Sequence, residues 1–506
     1  MISRVKSVTL RGLNCEDIQI EVDISKGIHS FQIVGLPDSV ISESRERIKV
    51  AIKSSGFDFP RGKVVVNLSP SDLKKEGSAF DLPIALAILN IGEKMKTDLL
   101  EDILILGELS LDGSLGRING ALSIVEHAKS KGYKKVILPA SNISEVSIME
   151  HVSVFGFDNL KEVFQFLNGR NVNLVKSEPV VLNDLNEVDY SYDFSCIKGQ
   201  EKAKRALKIA AAGGHNILLT GTPGSGKTML LRAFKSILPP MSREEILEVS
   251  KIYSISGLLT KEKPLITSRP FRIVHNSASL SSIIGGGRNA RPGEISLANK
   301  GAIFLDEFSE FPNSVLEALR QPMEDKEVTV TRVYGSYTYP ADFILVAAMN
   351  PCRCGFNGHD NSKCKCSPFE ILKYQKKISG PIVDRIDLFV KVDPVKTQEL
   401  DITFIDRSLT DEIRKNVIRA REIQTNRFKD HLISTNSVMN LEHITKYCQL
   451  NMELKKLLDT AVDKLNISAR GFFRIIKVAR TIADLEGQEE ITSESILEAL
   501  QYRSNY

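Results

Sequence analysis

GTPGSGKT, residues 221–228, follows the apolar run HNILLT (215–220) and leads into MLLRAFKSIL (229–238). A strand, a glycine-rich loop and a helix therefore succeed one another, which is the setting a phosphate-binding loop requires. Gly221, Gly224 and Gly226 let the backbone curl until its N–H groups and the helix N-terminus face phosphate oxygens. Thr222, Pro223 and Ser225 complete the loop. Lys227 suits the charge of the β- and γ-phosphates, and Thr228 suits a Mg²⁺ ion. ATP and Mg²⁺ are the expected ligands.

Downstream, AIFLDE (302–307) ends an apolar strand in two carboxylates, at the edge where open α/β sheets present their ligands. Asp306 is expected to hold Mg²⁺ through water, and Glu307 to activate the attacking water. FILVAAMN (343–350) places Asn350 at another strand end, where its amide suits orientation of that water; an Asn before Pro351 equally suits a plain turn. HNILLTG, GAIFLDE and DFILVAAMN are separated by helical or inserted stretches, the order of a parallel sheet with crossover helices. After about residue 400, DEIRKNVIRAREIQ, NMELKKLLDTAVDKL and FFRIIKVARTIADLEG read as amphipathic helices.

The chain has 506 residues, more than one hydrophobic core supports. Before the core, KVVVNLS and DILILGELSL alternate with the helical DLPIALAILNIG, an α/β unit over 1–168. A polar linker spans 169–192, the α/β ATPase core 193–395 and the helical lid 396–506. Hydrophobic residues make up 42% and charged residues 26%, and no apolar run reaches the ~20 residues that cross a bilayer. The start carries no basic patch followed by an apolar stretch, so a cytoplasmic location is expected. A net charge of +4 is nearly balanced, so a polyanionic partner needs a local site.

Seven cysteines in such a chain do not suggest a disulfide framework, yet four crowd into Cys352, Cys354, Cys364 and Cys366. The loop between the two pairs is rich in Gly, Asn and Asp and is short enough to gather four thiolates around one Zn²⁺. Reduced surface thiols and a redox-labile disulfide are the alternatives. EVTVTRVYGSYTYPADF (327–343) alternates on both sides of Gly335-Ser336 and predicts a β-hairpin, with Arg332 and Tyr334 near its tip. Those side chains suit phosphate and base contacts, and equally a hairpin that only packs. GGGRNARPGE (285–294) is a second mobile candidate loop, with Arg288 and Arg291 supplying charge.

Taken together, the phosphate loop, Asp306-Glu307, Asn350, GPIVDRIDL (380–388) and SARGFFR (468–474) resemble an AAA+ ATPase. KKEGSAFDLPIALAIL, RPFRIVHNSASLSSIIGGG, RPGEISLANKGAIFLDEFSEF and ISGPIVDRIDL further resemble the magnesium-chelatase-like family that includes ComM and YifB, over nearly the whole chain. The resemblance implies a ring, usually a hexamer, with ATP between neighbours and branched or single-stranded DNA as partner. It makes Arg385 the residue that reaches a neighbour's γ-phosphate and Arg470 the sensor arginine of the lid, with Arg474 its rival; a permanently charged, multidentate guanidinium suits both tasks. It places Ile197 against adenine. Local ion pairs with Asp384, Asp387 or Glu486 are the alternative use of these arginines.

The first unit resembles a Lon-type protease fold, in which serine and lysine do the chemistry. Ala79 falls at the serine position and Leu122 at the lysine position, so proteolysis is not expected. The competing functional reading is a chelatase-type chaperone acting on a metal or a protein partner. Relatives commonly carry two adjacent histidines where this chain has His275-Asn276.

Overall fold

The computed structural model describes residues 2–75, 77–93, 102–172, 174–176, 192–287, 290–332, 335–358, 363–394, 408–431, 433–465 and 467–503. It is a mixed α/β structure organised by two large sheets.

The first sheet has eight strands in the order Val175–Lys176, Ser153–Phe157, Lys135–Pro139, Ile103–Ile105, Ile2–Arg11, Asn14–Ser25, Lys63–Ser69, Ser30–Val34. Its centre is an antiparallel hairpin, Ile2–Arg11 with Asn14–Ser25; Asn14–Ser25 pairs antiparallel with Lys63–Ser69, and Ile2–Arg11 pairs parallel with Ile103–Ile105. Helix Asp81–Glu93 is apolar nearly all round, and its first ten residues are buried. It fills the core of this unit with Val64, Val66 and Leu68 of the neighbouring strand.

The second sheet has five parallel strands in the order Phe271–Val274, Ala302–Leu305, Ile344–Met349, Ile217–Gly221, Leu388–Val392. Ile344–Met349 is buried at all six positions, as a central strand covered on both faces must be. From Ser408 onward every described regular element is helical. Three of these helices, Ser408–Arg427, Met452–Leu465 and Ala469–Leu485, contain the amphipathic runs read from the sequence. Their apolar faces share one cluster with helix Glu201–Gly213 and the five-stranded sheet.

The two sheet units are also joined by packing. Helix Arg243–Ile255 starts at a capping box, Ser242 with Glu245, and buries Ile246, Val249 and Ile252 against Leu122, Val125 and Ala128 of helix Ala121–Lys131. Ser254 Oγ donates to the buried Glu145, which also accepts from Arg117 (2.5 Å). Burial, opposed by these donors, pushes the Glu145 carboxyl above the usual range. The expected linker falls for the most part at 177–191, outside the described residues.

The predicted hairpin is present as Glu327–Arg332 paired with Gly335–Pro340, but its register differs from the expectation. Arg332 pairs with Gly335, so Gly335-Ser336 opens the second strand instead of forming the turn. Side-chain burial sets this register: Val328, Val330 and Tyr339 face the core together, and a one-residue slip turns them all to solvent. Among the described residues no helix is long and apolar enough to cross a membrane.

Candidate nucleotide site

Three strand ends converge at the carboxyl edge of the five-stranded sheet. Parallel register sets Thr220 opposite Met349, so Gly221 and Asn350 leave the sheet level with each other, and Leu305 opposite Ala347, so Asp306 leaves the adjoining strand two residues earlier at the same edge. The phosphate loop then turns through Gly224 (φ +76°) and Gly226 (φ +88°), the latter capping helix Lys227–Ile237. Gly221 has no room for a side chain: a Cβ there would meet the Val392 carbonyl at 2.3 Å and Ser225 Oγ at 2.9 Å.

Lys227 is 8% exposed and donates to the carbonyls of Gly221 (2.7 Å) and Thr222 (2.8 Å) and to Asn350 Oδ1 (3.3 Å). It makes no ion pair among the described residues. Burial lowers its affinity for the proton, with Asp306 acting in the opposite sense. A buried ammonium held only by neutral oxygens lacks a counter-anion, and the loop offers two further unpartnered groups in the Thr222 and Ser225 hydroxyls. A polyphosphate fits this site. Thr228 Oγ1 donates to Asp306 Oδ2 at 2.9 Å, placing two oxygens of the kind Mg²⁺ takes beside the loop.

Glu307 follows Asp306 in a left-handed backbone conformation (φ +52°), held by its own N–H on Asp306 Oδ1 (3.0 Å). A non-glycine residue seldom adopts this conformation, and Glu307 is exposed. Glu307 Oε2 accepts from Asn276 Nδ2 at 3.1 Å. Asn276, where the resemblance leads one to expect a second histidine, thus faces Glu307, a contact the motif spacing did not predict. Ile197 is 8% exposed and packs with Phe194 in the cluster beneath the helices.

Arg385 is 6% exposed. Its guanidinium pairs with Glu324 (2.5 Å) and donates to the Pro381 carbonyl (2.7 Å), while its Nε lacks a partner. The expected local alternatives are taken otherwise: Asp387 receives Arg474, and Glu486 receives Arg205 (2.8 Å). Arg470 is exposed at the start of helix Ala469–Leu485 and makes no ion pair among the described residues. Of the two rival arginines, Arg470 is therefore the one left open to a ligand. Asn216 ties these parts together. Its N–H reaches Asp387 Oδ2, its Nδ2 the Arg385 carbonyl, and its Oδ1 accepts from Leu345 N–H, each at 2.9 Å.

The two candidate surface loops lie together. Arg332 Nε donates to the Gly287 carbonyl at 3.3 Å, and a Cβ on Gly286 would meet Arg332 Nη2 at 2.4 Å. Arg291 is exposed and pairs with Gly286. Arg288 and Tyr334 lie outside the described residues.

The sulfurs of Cys352, Cys354, Cys364 and Cys366 all lie within 4.8 Å of one another, and none of the seven cysteines is in a disulfide. In the first unit, Ala79 accepts Gly107 N–H through its carbonyl (2.9 Å), and Leu122 is fully buried in the core. The buried Lys75 donates to the Gly35 and Pro70 carbonyls.

The family model "Magnesium chelatase, subunit ChlI" matches residues 193–400. "Subunit ChlI of Mg-chelatase" matches 20–142, and "Magnesium chelatase, subunit ChlI C-terminal" matches 408–503. The chain is 38% identical to YifB of Escherichia coli over 99% of its own length and 97% of that protein. It is 38% identical to competence protein ComM of Haemophilus influenzae, over 97% of this chain and 96% of ComM. A more distant relative is magnesium-chelatase subunit ChlI of Cyanophora paradoxa, 21% identical over 60% of this chain and 87% of that protein.

Proposed function

The chain belongs to the magnesium-chelatase-like family of YifB and ComM, and from that premise we propose that it is an ATP-hydrolysing, ring-forming motor of the AAA+ type that works on DNA. The observation that carries the ATPase reading is the convergence of Lys227, Thr228, Asp306, Glu307 and Asn350 at one sheet edge.

In this reading the curled loop and Lys227 bind the β- and γ-phosphates of ATP. Thr228 and Asp306 would hold Mg²⁺, which when bound neutralises charge developing on the phosphates. Glu307 accepts a proton from the attacking water, and Asn350, already bonded to Lys227, orients that water beside the γ-phosphate. Ile197 lies on the segment beside the adenine. Arg385 leaves Glu324 to reach the γ-phosphate of a neighbouring subunit, and Arg470 reaches the nucleotide from the carboxy-terminal helices, which act as a lid. The Lon-like first unit serves assembly or binding, with Ala79 and Leu122 where a protease needs its serine and lysine.

DNA as the partner rests on two observations. ComM is named as a competence protein, and the exposed Arg291 and Arg332 meet on one glycine-rich surface beside the hairpin. An exposed arginine suits contact with the phosphate backbone. The matched ChlI models favour a second reading, a chelatase-type chaperone with a metal- or protein-handling partner.

The test is ATP hydrolysis by wild type and Glu307→Gln, with no DNA, single-stranded DNA and a four-way junction. Stimulation by DNA that is lost in Glu307→Gln supports the DNA motor; turnover indifferent to DNA moves the chelatase-type reading to first place.

A further inference from the structure

We propose that Cys352, Cys354, Cys364 and Cys366 bind one Zn²⁺, and that the filled site braces the phosphate loop and Asn350 in their working positions. The brace rests on the ATPase reading above; the metal site does not.

The sulfur geometry carries the first part. Cys352 Sγ lies 3.3 Å from Cys354 Sγ and 3.9 Å from Cys364 Sγ, and Cys354 Sγ lies 3.6 Å from Cys364 Sγ. With Zn–S bonds of ~2.3 Å, a tetrahedral site has sulfurs ~3.8 Å apart. Three of the sulfurs thus already stand near that spacing, and Cys366 Sγ lies within 4.8 Å of each of them. A backbone donor supports it: Asn357 N–H points at Cys352 Sγ (3.4 Å), as suits a thiolate. Four sulfur donors, with no oxygen or nitrogen ligand among the described residues, select zinc, or iron in a cluster, over harder cations.

The position carries the second part. Cys352 stands two residues after Asn350, and the intervening Pro351 carbonyl accepts from Gln375 Nε2 (3.3 Å). Gly355 turns at φ +87° against the phosphate loop itself: a Cβ there would lie 2.5 Å from Pro223 Cδ and 2.7 Å from Cγ. Lys391 Nζ donates to the Gly358 carbonyl (2.9 Å), fastening the same loop to the neighbouring strand. Only Cys352 of the four cysteines is buried, so the loop has little apolar core of its own, and metal–thiolate bonds take over that role. Holding the sulfurs together presses Gly355 onto Pro223 and keeps the chain leaving Asn350 at a fixed angle.

The experiment measures metal content by mass spectrometry, binding of a fluorescent ATP analogue and hydrolysis on the full chain. Wild type should carry one zinc, and Cys364→Ser/Cys366→Ser none, with analogue binding weakened at least tenfold. Cys366→His should regain zinc and hydrolysis relative to Cys366→Ser. Gly355→Ala should keep its zinc yet bind the analogue more weakly, which separates the brace from folding of the loop. Wild type without zinc after incubation with Zn²⁺, or with the visible absorbance of an iron–sulfur cluster, overturns the site. Zinc-free Cys364→Ser/Cys366→Ser that binds and hydrolyses like wild type overturns the brace. Zinc-loaded wild type that neither binds nor hydrolyses ATP overturns the ATPase reading and the brace with it, while the zinc site stands.

Discussion

Asn276→Asp tests whether Glu307 is the base and whether position 276 controls it. The substitution keeps the shape of the side chain but replaces the donor 3.1 Å from Glu307 Oε2 with a second carboxylate. Glu307 is exposed and Asn276 half-buried at the same surface, so the repulsion acts largely through water-like surroundings: about 1 kcal/mol for unit charges at about 4 Å. A like charge favours the neutral carboxyl, so at any given pH more Glu307 is protonated and unable to accept a proton. At 1.36 kcal/mol per tenfold, the acid limb of the hydrolysis profile should move up by about 0.7 pH unit. On that limb turnover falls about fivefold, and above neutrality it matches wild type. Asn276→Ala, which removes the hydrogen bond without adding charge, should leave the limb in place. The assay is steady-state phosphate release across about pH 4 to 8.5, repeated near 1 M salt, where a Debye length of ~3 Å should shrink the shift. Superimposable wild-type and Asn276→Asp profiles at low salt would refute the reasoning.

Arg385→Ala should lower turnover about 10³-fold with ATP affinity largely kept, because charge on the γ-phosphate is stabilised mainly in the transition state; comparison of kcat with equilibrium nucleotide binding checks it. Asp484 is fully buried and accepts from Arg427 (2.8 Å), Arg480 (3.1 Å) and Asn436 (2.8 Å), so Asp484→Asn strands two guanidiniums and should cost about 3 to 5 kcal/mol, read from urea unfolding of the carboxy-terminal helices. Burial pushes the Asp387 carboxyl upward, but the Arg474 charge and the contacts with His215 and Arg474 outweigh it and hold the group well below the usual range. A lowered native value contributes stability that is complete above the ordinary aspartate value of about 4 and disappears as acid protonates the native group, so Asp387→Asn should flatten the loss of thermal stability on acidification below that value.

The nucleotide site was legible in the sequence because its elements are local. Glycine spacing dictates how the 221–228 backbone curls, and unbroken apolar runs ending in Asp306 and Asn350 mark buried parallel strands whose last residues must surface at one edge. The helices after Ser408 were equally legible, since their burial follows a helical period along one segment. Periodicity states that a face is buried and leaves its partner open. Strand order in the five-stranded sheet is not chain order, and only that order brings Asn350 to Lys227; Asn276 reaches Glu307 across two strands that pair in parallel, a pairing periodicity does not state. The same holds for Arg385 on Glu324, for Gly355 against Pro223, for the hairpin register that buries Tyr339, and for helix Arg243–Ile255 joining the two sheet units in one core. Each of these depends on packing between segments far apart along the chain. Their mutual fit is a property of close-packed interiors in three dimensions, which no single stretch of residues encodes.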